Sequence, residues 1–123
     1  MTTNTCVWFV IPVTDIDRAH AFYSAVMGRD LTKQEGGPNP MVAFTSMADE
    51  GVSGHLYPGK PAAAGSGATI HFAAPDSLEA TAKRVRDAGG EVITAPIEIP
   101  SGSFFYATDP DGNSIGLFEM KAA

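Results

Sequence analysis

The sequence of 123 residues contains a single cysteine, Cys6, and few basic residues. A lone thiol has no partner for an intrachain disulfide and cannot build a cysteine-based zinc site. The 8 Lys and Arg residues are outnumbered by 14 Asp and Glu, and no basic run offsets the net charge of −6. Basic patches are what proteins use to contact nucleic acids and anionic membrane surfaces. We therefore expect neither a nucleic-acid partner nor a membrane partner.

Long hydrophobic runs are also missing from the sequence. The longest, residues 6–13, is far shorter than the roughly 20 residues of a membrane-spanning helix, and no positively charged segment precedes it as in a signal peptide. Hydrophobic residues nevertheless make up 44% of the chain and charged residues 18%, a balance typical of a globular domain with a buried core. With its unpaired cysteine, the chain is expected to be a soluble protein of the reducing cytoplasm.

Two segments of the sequence share a pattern at a fixed offset. Asp15 and Gly28 of TDIDRAHAFYSAVMGRDL recur 61 residues later as Asp76 and Gly89 of APDSLEATAKRVRDAGGEV. An alternating apolar segment precedes the aspartate in both cases, and another strand-like segment follows the glycine. A repeat close to half the chain length indicates an internal duplication.

Side chains that accept hydrogen bonds from free backbone N–H groups mark the start of a helix in each half. In the first half, either Asp15 or the pair Thr14 and Asp17 fits this role. In the second half, the pair Asp76 and Glu79 fits it. An apolar stripe at helical spacing follows each start, formed by Ile16, Ala19, Tyr23 and Val26 in the first helix and by Leu78, Ala82 and Val85 in the second.

Three strand-like segments, separated by Gly, Pro, Asn and Asp, follow each predicted helix. They cover roughly residues 30–35, 41–47 and 52–57 in the first half and 91–98, 103–108 and 113–120 in the second. The predicted order is βαβββ, linker, βαβββ, with units at roughly 5–58 and 68–120 and the linker PGKPAAAGSGA at 58–68. We expect an α+β fold in which residues 1–123 form one domain.

Three segments, IPVTDIDRAHAFYSAVMG, APDSLEATAKRVRDAGGEV and DPDGNSIGLFE, resemble the vicinal oxygen chelate superfamily. That superfamily includes glyoxalase I, bleomycin-resistance proteins and extradiol dioxygenases. The resemblance covers nearly the whole chain and implies two βαβββ units whose curved mixed sheets form a cup. It also implies a homodimer in which both chains complete each cup. In metal-dependent members, His and Glu side chains from the first and last strands of each unit bind a divalent ion.

The metal-ligand positions of these members can be carried over to this sequence. They fall on Trp8, Thr69, Gly116 and either Gly54 or His55. An indole offers only an N–H donor, glycine has no side chain, and threonine is a poor ligand. At best one of the four ligands is kept, so we expect the standard metal site to be lost and predict no metal or other cofactor.

The period-2 alternation of the strands predicts which side chains line the cup. They are Trp8, Val10, His55, Tyr57, Thr69, His71, Gly116 and Phe118. This set forms an aromatic pocket with a few polar groups, which is typical of a site for a small organic ligand, including a planar or aromatic one. The Trp8 ring fits two roles equally, a stacking wall for such a ligand or packing in the core or at a dimer contact.

Three functional hypotheses follow. The favoured one is a metal-independent small-molecule-binding protein similar to bleomycin-resistance proteins. The second is a metal-dependent enzyme, similar to lactoylglutathione lyase or a dioxygenase, whose rearranged ligands include His55 and His71. The third is a structural or regulatory dimer with a vestigial cup. His71 also has the chemistry of a general base, but no residue in the sequence supplies its orienting partner, and no catalytic residue is assigned.

Overall fold

The computed structural model describes residues 5–34, 40–45 and 52–121. The first half contains β1 (Trp8–Val13), α1 (Ile16–Met27), β2 (Thr32–Gln34), β3 (Met41–Ala43) and β4 (Ser53–Pro58). The second half contains β5 (Ile70–Ala73), α2 (Leu78–Asp87), β6 (Glu91–Val92), β7 (Ile97–Ile99), β8 (Gly102–Thr108) and β9 (Ser114–Met120). The predicted strands at 30–35 and 41–47 extend into segments that lie outside the described residues.

Each half forms its own mixed sheet. The first sheet has the order β1-β4-β3-β2, and the second has the order β5-β9-β8-β6 with β7 also paired to β8. In both sheets the first strand of the unit runs parallel to the last one, and the other pairs are antiparallel. The predicted α+β class with two repeated units is therefore confirmed.

The start of α1 depends on Asp15, one of the two predicted alternatives. Its carboxylate accepts hydrogen bonds from the backbone N–H groups of Asp17 and Arg18. Thr14 does not cap the helix, because its backbone N–H and its hydroxyl both donate to Asp111 in the second half. Gly28 ends the helix at φ 72°, a left-handed conformation that side chains disfavour.

The predicted start of α2 was wrong by one residue. Ser77 caps this helix and accepts a hydrogen bond from the backbone N–H of Ala80. The Asp76 carboxylate instead accepts hydrogen bonds from the Arg84 guanidinium, and these bonds lower the Asp76 pKa from its ordinary value. Thr81, which the apolar stripe left out, is fully buried because its hydroxyl donates to the Ser77 carbonyl and needs no water.

The predicted strand at 91–98 is two short strands, β6 and β7, on the same edge of β8. Between them, the Thr94 hydroxyl takes the place of a backbone acceptor and accepts a hydrogen bond from the Tyr106 backbone N–H at 3.1 Å. Pro96, which has no N–H to donate, follows two residues later. Side-chain pairing and the proline together interrupt the regular strand ladder. The alternating pattern of residues 91–98 does not reveal this interruption, so it predicts one continuous strand.

The core lies between the two helices and the inward faces of both sheets. Eleven of its hydrophobic side chains are at most 1% exposed: Val13, Phe22, Tyr23, Val26, Val42, Leu56, Val85, Phe105, Ala107, Ile115 and Leu117. Phe72 of the second half contacts Phe9 and Phe44 of the first, with ring centroids 5.6 and 4.9 Å apart. Val7 is 73% exposed because it precedes β1, which begins only at Trp8.

A hydrogen-bonded cluster also joins the two halves. The buried Tyr23 hydroxyl of α1 donates to the Asp109 carboxylate at 2.7 Å. Asn113 donates its side-chain amide both to Asp109 and to the Pro12 carbonyl of β1. Burial, reinforced by the nearby Asp109 charge, raises the pKa of Tyr23 well above its ordinary value. The loop between β8 and β9 is thereby fixed against the end of β1 and the start of α1.

In the described part of the chain, neither helix has the length and apolar character needed to cross a membrane.

Candidate ligand site

The two sheets each have one face that carries no helix. Helices α1 and α2 contact one another, and each also packs against the sheet of its own unit. The two helix-free faces carry the side chains that the alternation pattern predicted for the cup.

The first-sheet cluster consists of Trp8, His55 and Tyr57. The Trp8 indole Nε1–H donates a hydrogen bond to His55 Nδ1 at 2.9 Å, and the two rings are 6.0 Å apart and tilted by 45°. The Tyr57 ring meets His55 edge-on at 6.3 Å. Trp8 is 44% exposed, so one part of its ring is free to contact a ligand or a partner. Val10, which lies across from His55 in β4, is 48% exposed.

The second-sheet cluster consists of His71, Phe104, Tyr106 and Phe118. His71 meets Phe104 and Tyr106 edge-on at 5.3 and 5.7 Å. Phe118 is stacked on Phe104 at 6.3 Å with only 17° between the ring planes. Phe104 and Tyr106 were missing from the predicted site. The alternation in Ser-Phe-Phe-Tyr-Ala-Thr places them opposite the buried Phe105, so the pattern that found the other cup residues indicates these two as well.

Gly116 allows the His71 ring to lie flat against the sheet. The two residues are directly paired in β5 and β9, and a β-carbon at position 116 would lie 2.5 Å from His71 Cε1. Two residues earlier in both segments, the Thr69 and Ser114 hydroxyls hydrogen-bond at 2.6 Å. The absence of a side chain at 116 therefore decides where the imidazole lies.

A cavity of about 160 Å³ lies where the two sheets meet. It is lined by Val10, Ile11, Pro12, Ala62, Ser66, Gly67, Ala68, Ile70, Asn113 and Ser114. Residues of the linker form one wall, and the Gly65 N–H holds that wall to the Gly112 carbonyl. The cavity brings Val10 and Ser114 together from different sheets. It does not include His55 or His71, which belong to separate clusters.

A family model for the Glyoxalase/Bleomycin resistance protein/Dioxygenase superfamily matches residues 5–117. The chain belongs to this superfamily. Two curated relatives in the superfamily match, each named "Putative glyoxylase CFP32", from Mycobacterium bovis and Mycobacterium tuberculosis. Both are 33% identical over 114 residues, which is 89% of this chain but only 42% of the relatives.

Solved structures show the same superfamily fold. A glyoxalase/bleomycin resistance protein from Albidiferax ferrireducens T118 has a TM-score of 0.74 at 22% identity and covers 96% of this chain and 100% of its own. TnmS3, an antibiotic-binding protein from Streptomyces sp. CB03234, has a TM-score of 0.62 at 25% identity and covers 98% and 99%. These likenesses confirm two helices with open, curved sheets.

Strand pairing decides between Gly54 and His55 as the fourth metal-ligand position of the superfamily. His55 lies across from Val10 in the first sheet, as Gly116 lies across from His71 in the second. The same offset of 61 residues relates Val10 to His71 and His55 to Gly116. Gly54 instead faces the Phe9 ring on the helix side. His55 is therefore the first-half counterpart of Gly116.

These four positions do not fit the divalent ion of metal-dependent superfamily members. The Trp8 indole, which has no lone pair to offer, occupies one position and saturates the Nδ1 of His55. Thr69 is hydrogen-bonded to Ser114, and Gly116 has no side chain. Within residues 5–34, 40–45 and 52–121, no group of three or more His, Cys, Asp or Glu side chains is arranged to hold a metal.

Proposed function

We propose that this chain is a metal-independent small-molecule-binding protein, which holds a planar organic ligand on its aromatic, helix-free faces. The hydrogen bond from Trp8 to His55 is the observation that carries this proposal. His55 carries the only imidazole among the four ligand positions, and in this bond its Nδ1 accepts from the Trp8 indole N–H. A half-exposed ring pair of this kind offers a ligand both a stacking surface and a polar contact.

The composition of the second-sheet cluster supports the same function. Phe104 and Tyr106 contact the His71 imidazole, and the Phe104 and Phe118 planes are nearly parallel. Aromatic faces bind planar ligands by stacking, which depends less on the ligand's substituents than hydrogen bonding does. The neighbour TnmS3, which has the same fold, is an antibiotic-binding protein, and this supports a binding function. Residues of the proposed ligand site are Trp8, Val10, His55, Tyr57, Thr69, His71, Gly116 and Phe118.

The proposal includes a homodimer of single-domain chains in the reducing cytoplasm. Val7, Val10 and Val52, which lie in or just before the edge strand β1 and its neighbour β4, are 73%, 48% and 43% exposed. Contiguous exposed apolar side chains mark protein interaction sites more often than isolated ones. A second copy that covers this edge would also enclose the first-sheet cluster.

Protein purified without chelators should contain only substoichiometric Ni, Zn, Fe and Mn, because a stable protein site normally needs three or more ligands. Elemental analysis of the wild-type protein and of His55→Gln measures this. His20→Gln is the control, because His20 lies on α1 with a ring nitrogen 2.7 Å from the Leu31 carbonyl, away from both clusters. A stoichiometric metal that disappears only in His55→Gln would contradict the proposal and favour the metal-dependent enzyme.

Binding of a planar aromatic probe should depend on the Trp8 ring. We expect 2-acetylnaphthalene to raise the melting temperature of the wild type by mass action. Trp8→Leu should weaken its binding about tenfold, since it removes one aromatic contact. Calorimetric titration measures the affinity, and acetylcyclohexane, which keeps the carbonyl but lacks the planar ring, is the control ligand. If neither naphthyl nor other planar compounds bind, the vestigial-cup hypothesis is favoured instead.

A further inference from the structure

The contact between Trp8 and His55 fixes the proton arrangement of the imidazole. An indole nitrogen can only donate a hydrogen bond, so His55 Nδ1 must be the acceptor and carries no proton. In the neutral ring the single N–H is then on Nε2. The contact therefore selects one tautomer and one ring orientation.

The Nε2–H group has no protein acceptor in the part of the chain that the structure describes. The one hydrogen bond of His55 there is the bond from Trp8 through Nδ1. The other neighbours are the edge-on Tyr57 ring, Val10 across the strand pair in β1 and Ala43 across the pair in β3. His55 thus presents a single, oriented donor between two aromatic rings.

The surroundings of this donor also favour a particular charge on the ligand. Among the described residues, the hydrogen-bond, ring-contact and strand-pairing partners of His55 are all uncharged: Trp8, Val10, Ala43 and Tyr57. The chain as a whole carries a net charge of −6. An anionic ligand would lose hydration here without gaining a cationic partner, which is unfavourable. A neutral acceptor, such as a carbonyl oxygen, meets no such cost.

We infer that Trp8 is a positioning residue that holds His55 as an Nε2–H donor, and that the site thereby selects neutral planar ligands carrying a carbonyl-type acceptor. This inference rests on the proposed small-molecule-binding function and adds the chemical class of the ligand. The ring of the ligand stacks beside Trp8 or Tyr57, and its oxygen accepts from His55 Nε2. A ligand that offers only a hydrogen-bond donor at this point faces the His55 Nε2–H donor and forms no hydrogen bond with it.

Three matched naphthalene probes test the ligand class. 2-Acetylnaphthalene carries a neutral acceptor, 2-isopropenylnaphthalene replaces its oxygen with CH₂, and 2-naphthoate carries a charge. The acetyl compound should bind about fivefold tighter than the isopropenyl compound, which is the effect of one hydrogen bond. It should also bind more tightly than the naphthoate. Calorimetry or NMR titration measures the three affinities.

Variants separate the donor from the residue that orients it. His55→Leu should abolish the preference for the acetyl compound, and His55→Gln, which has both an acceptor for Trp8 and a donor for the ligand, should restore part of it. Trp8→Phe keeps a ring but frees the imidazole to turn, so its preference should fall between those of the wild type and His55→Leu. His20→Gln, which changes an imidazole on α1 outside both clusters, is the control and should leave the preference unchanged.

The nitrogen-15 spectrum of the imidazole gives a readout that a merely structural role of Trp8 would not affect. In the neutral ring of the wild type, Nε2 should be protonated and Nδ1 should show a hydrogen-bonded acceptor signal, which Trp8→Phe should shift to that of a free acceptor. A protonated Nδ1, or an unchanged preference in Trp8→Phe, would overturn the inference. Equal affinity for all three probes would overturn it while leaving the proposed function intact, whereas binding of no probe would remove both.

Discussion

Replacing Asp109 with alanine is expected to lower the free energy of unfolding by about 4 kcal/mol. The residue is 3% exposed, and its carboxylate accepts four hydrogen bonds. One comes from the buried Tyr23 hydroxyl, two come from Asn113, and one comes from the backbone N–H of Asp111. Alanine leaves the hydroxyl without an acceptor and releases the loop that ties the second half to the first. Urea denaturation followed by circular dichroism measures the change.

A matched aspartate provides the control for this prediction. Asp87 is exposed on α2 and pairs with Lys83 one turn earlier, a surface contact of little net value. We expect Asp87→Ala to change the free energy of unfolding by less than about 0.5 kcal/mol. Similar losses in Asp87→Ala and Asp109→Ala would show that the Asp109 cluster does not join the halves as described.

The pH dependence of stability isolates the contact between Tyr23 and Asp109. Burial first, and the Asp109 charge second, raise the pKa of the Tyr23 hydroxyl above its ordinary value of 10.0. Because the folded protein keeps this proton more tightly than the unfolded chain, the stabilisation is complete below pH 10.0 and is lost as the pH rises above that value. Tyr23→Phe should cost about 1.5 kcal/mol at neutral pH and should make the alkaline decline less steep.

Gly54→Ala is the second substitution with a large expected effect, a loss of about 3 kcal/mol. A β-carbon at position 54 would lie 2.5 Å from the Phe9 ring and would also clash with the Phe9 backbone carbonyl. Gly54 and Phe9 are paired in β4 and β1, so relieving the clash requires the two strands to move apart. Thermal and urea unfolding of the variant measure the loss.

Gly116→Ala is the matched control for Gly54→Ala, because both glycines lie in the last strand of their unit, across from the first. The atoms that a β-carbon would meet at 116 belong to the His71 imidazole, which is exposed and can rotate. We expect a loss of only about 1 kcal/mol, with the His71 ring turned away from Phe104. NMR shifts of the His71 ring report that rotation. Equal losses in the two variants would contradict the distinction between a fixed backbone and a movable ring.

Much of the fold and part of the candidate site could be predicted because they depend on local patterns. The repeat offset predicts two equivalent units. The alternation that predicts the cup residues leaves Ile11, Leu56 and Ile115 on the opposite face, where they are buried. The same pattern failed where a side chain replaced a backbone partner, as Thr94 does in the strand that is split in two. The helix-start pattern likewise put the cap of α2 on Asp76, whose carboxylate instead binds Arg84.

The sequence by itself determined which chemical groups stand at the superfamily's ligand positions, since an indole at Trp8 and a hydrogen at Gly116 follow from residue identity alone. Only the tertiary structure decided what those groups contact. Trp8 meets His55 across 47 residues of sequence, and Tyr23 meets Asp109 across 86. Side-chain periodicity fixes the face on which a residue lies, but a hydrogen bond of 2.9 Å also requires the strand register and the ring rotamers. Those are set by packing between distant segments, which is why the oriented donor of His55 could not be foreseen from the sequence.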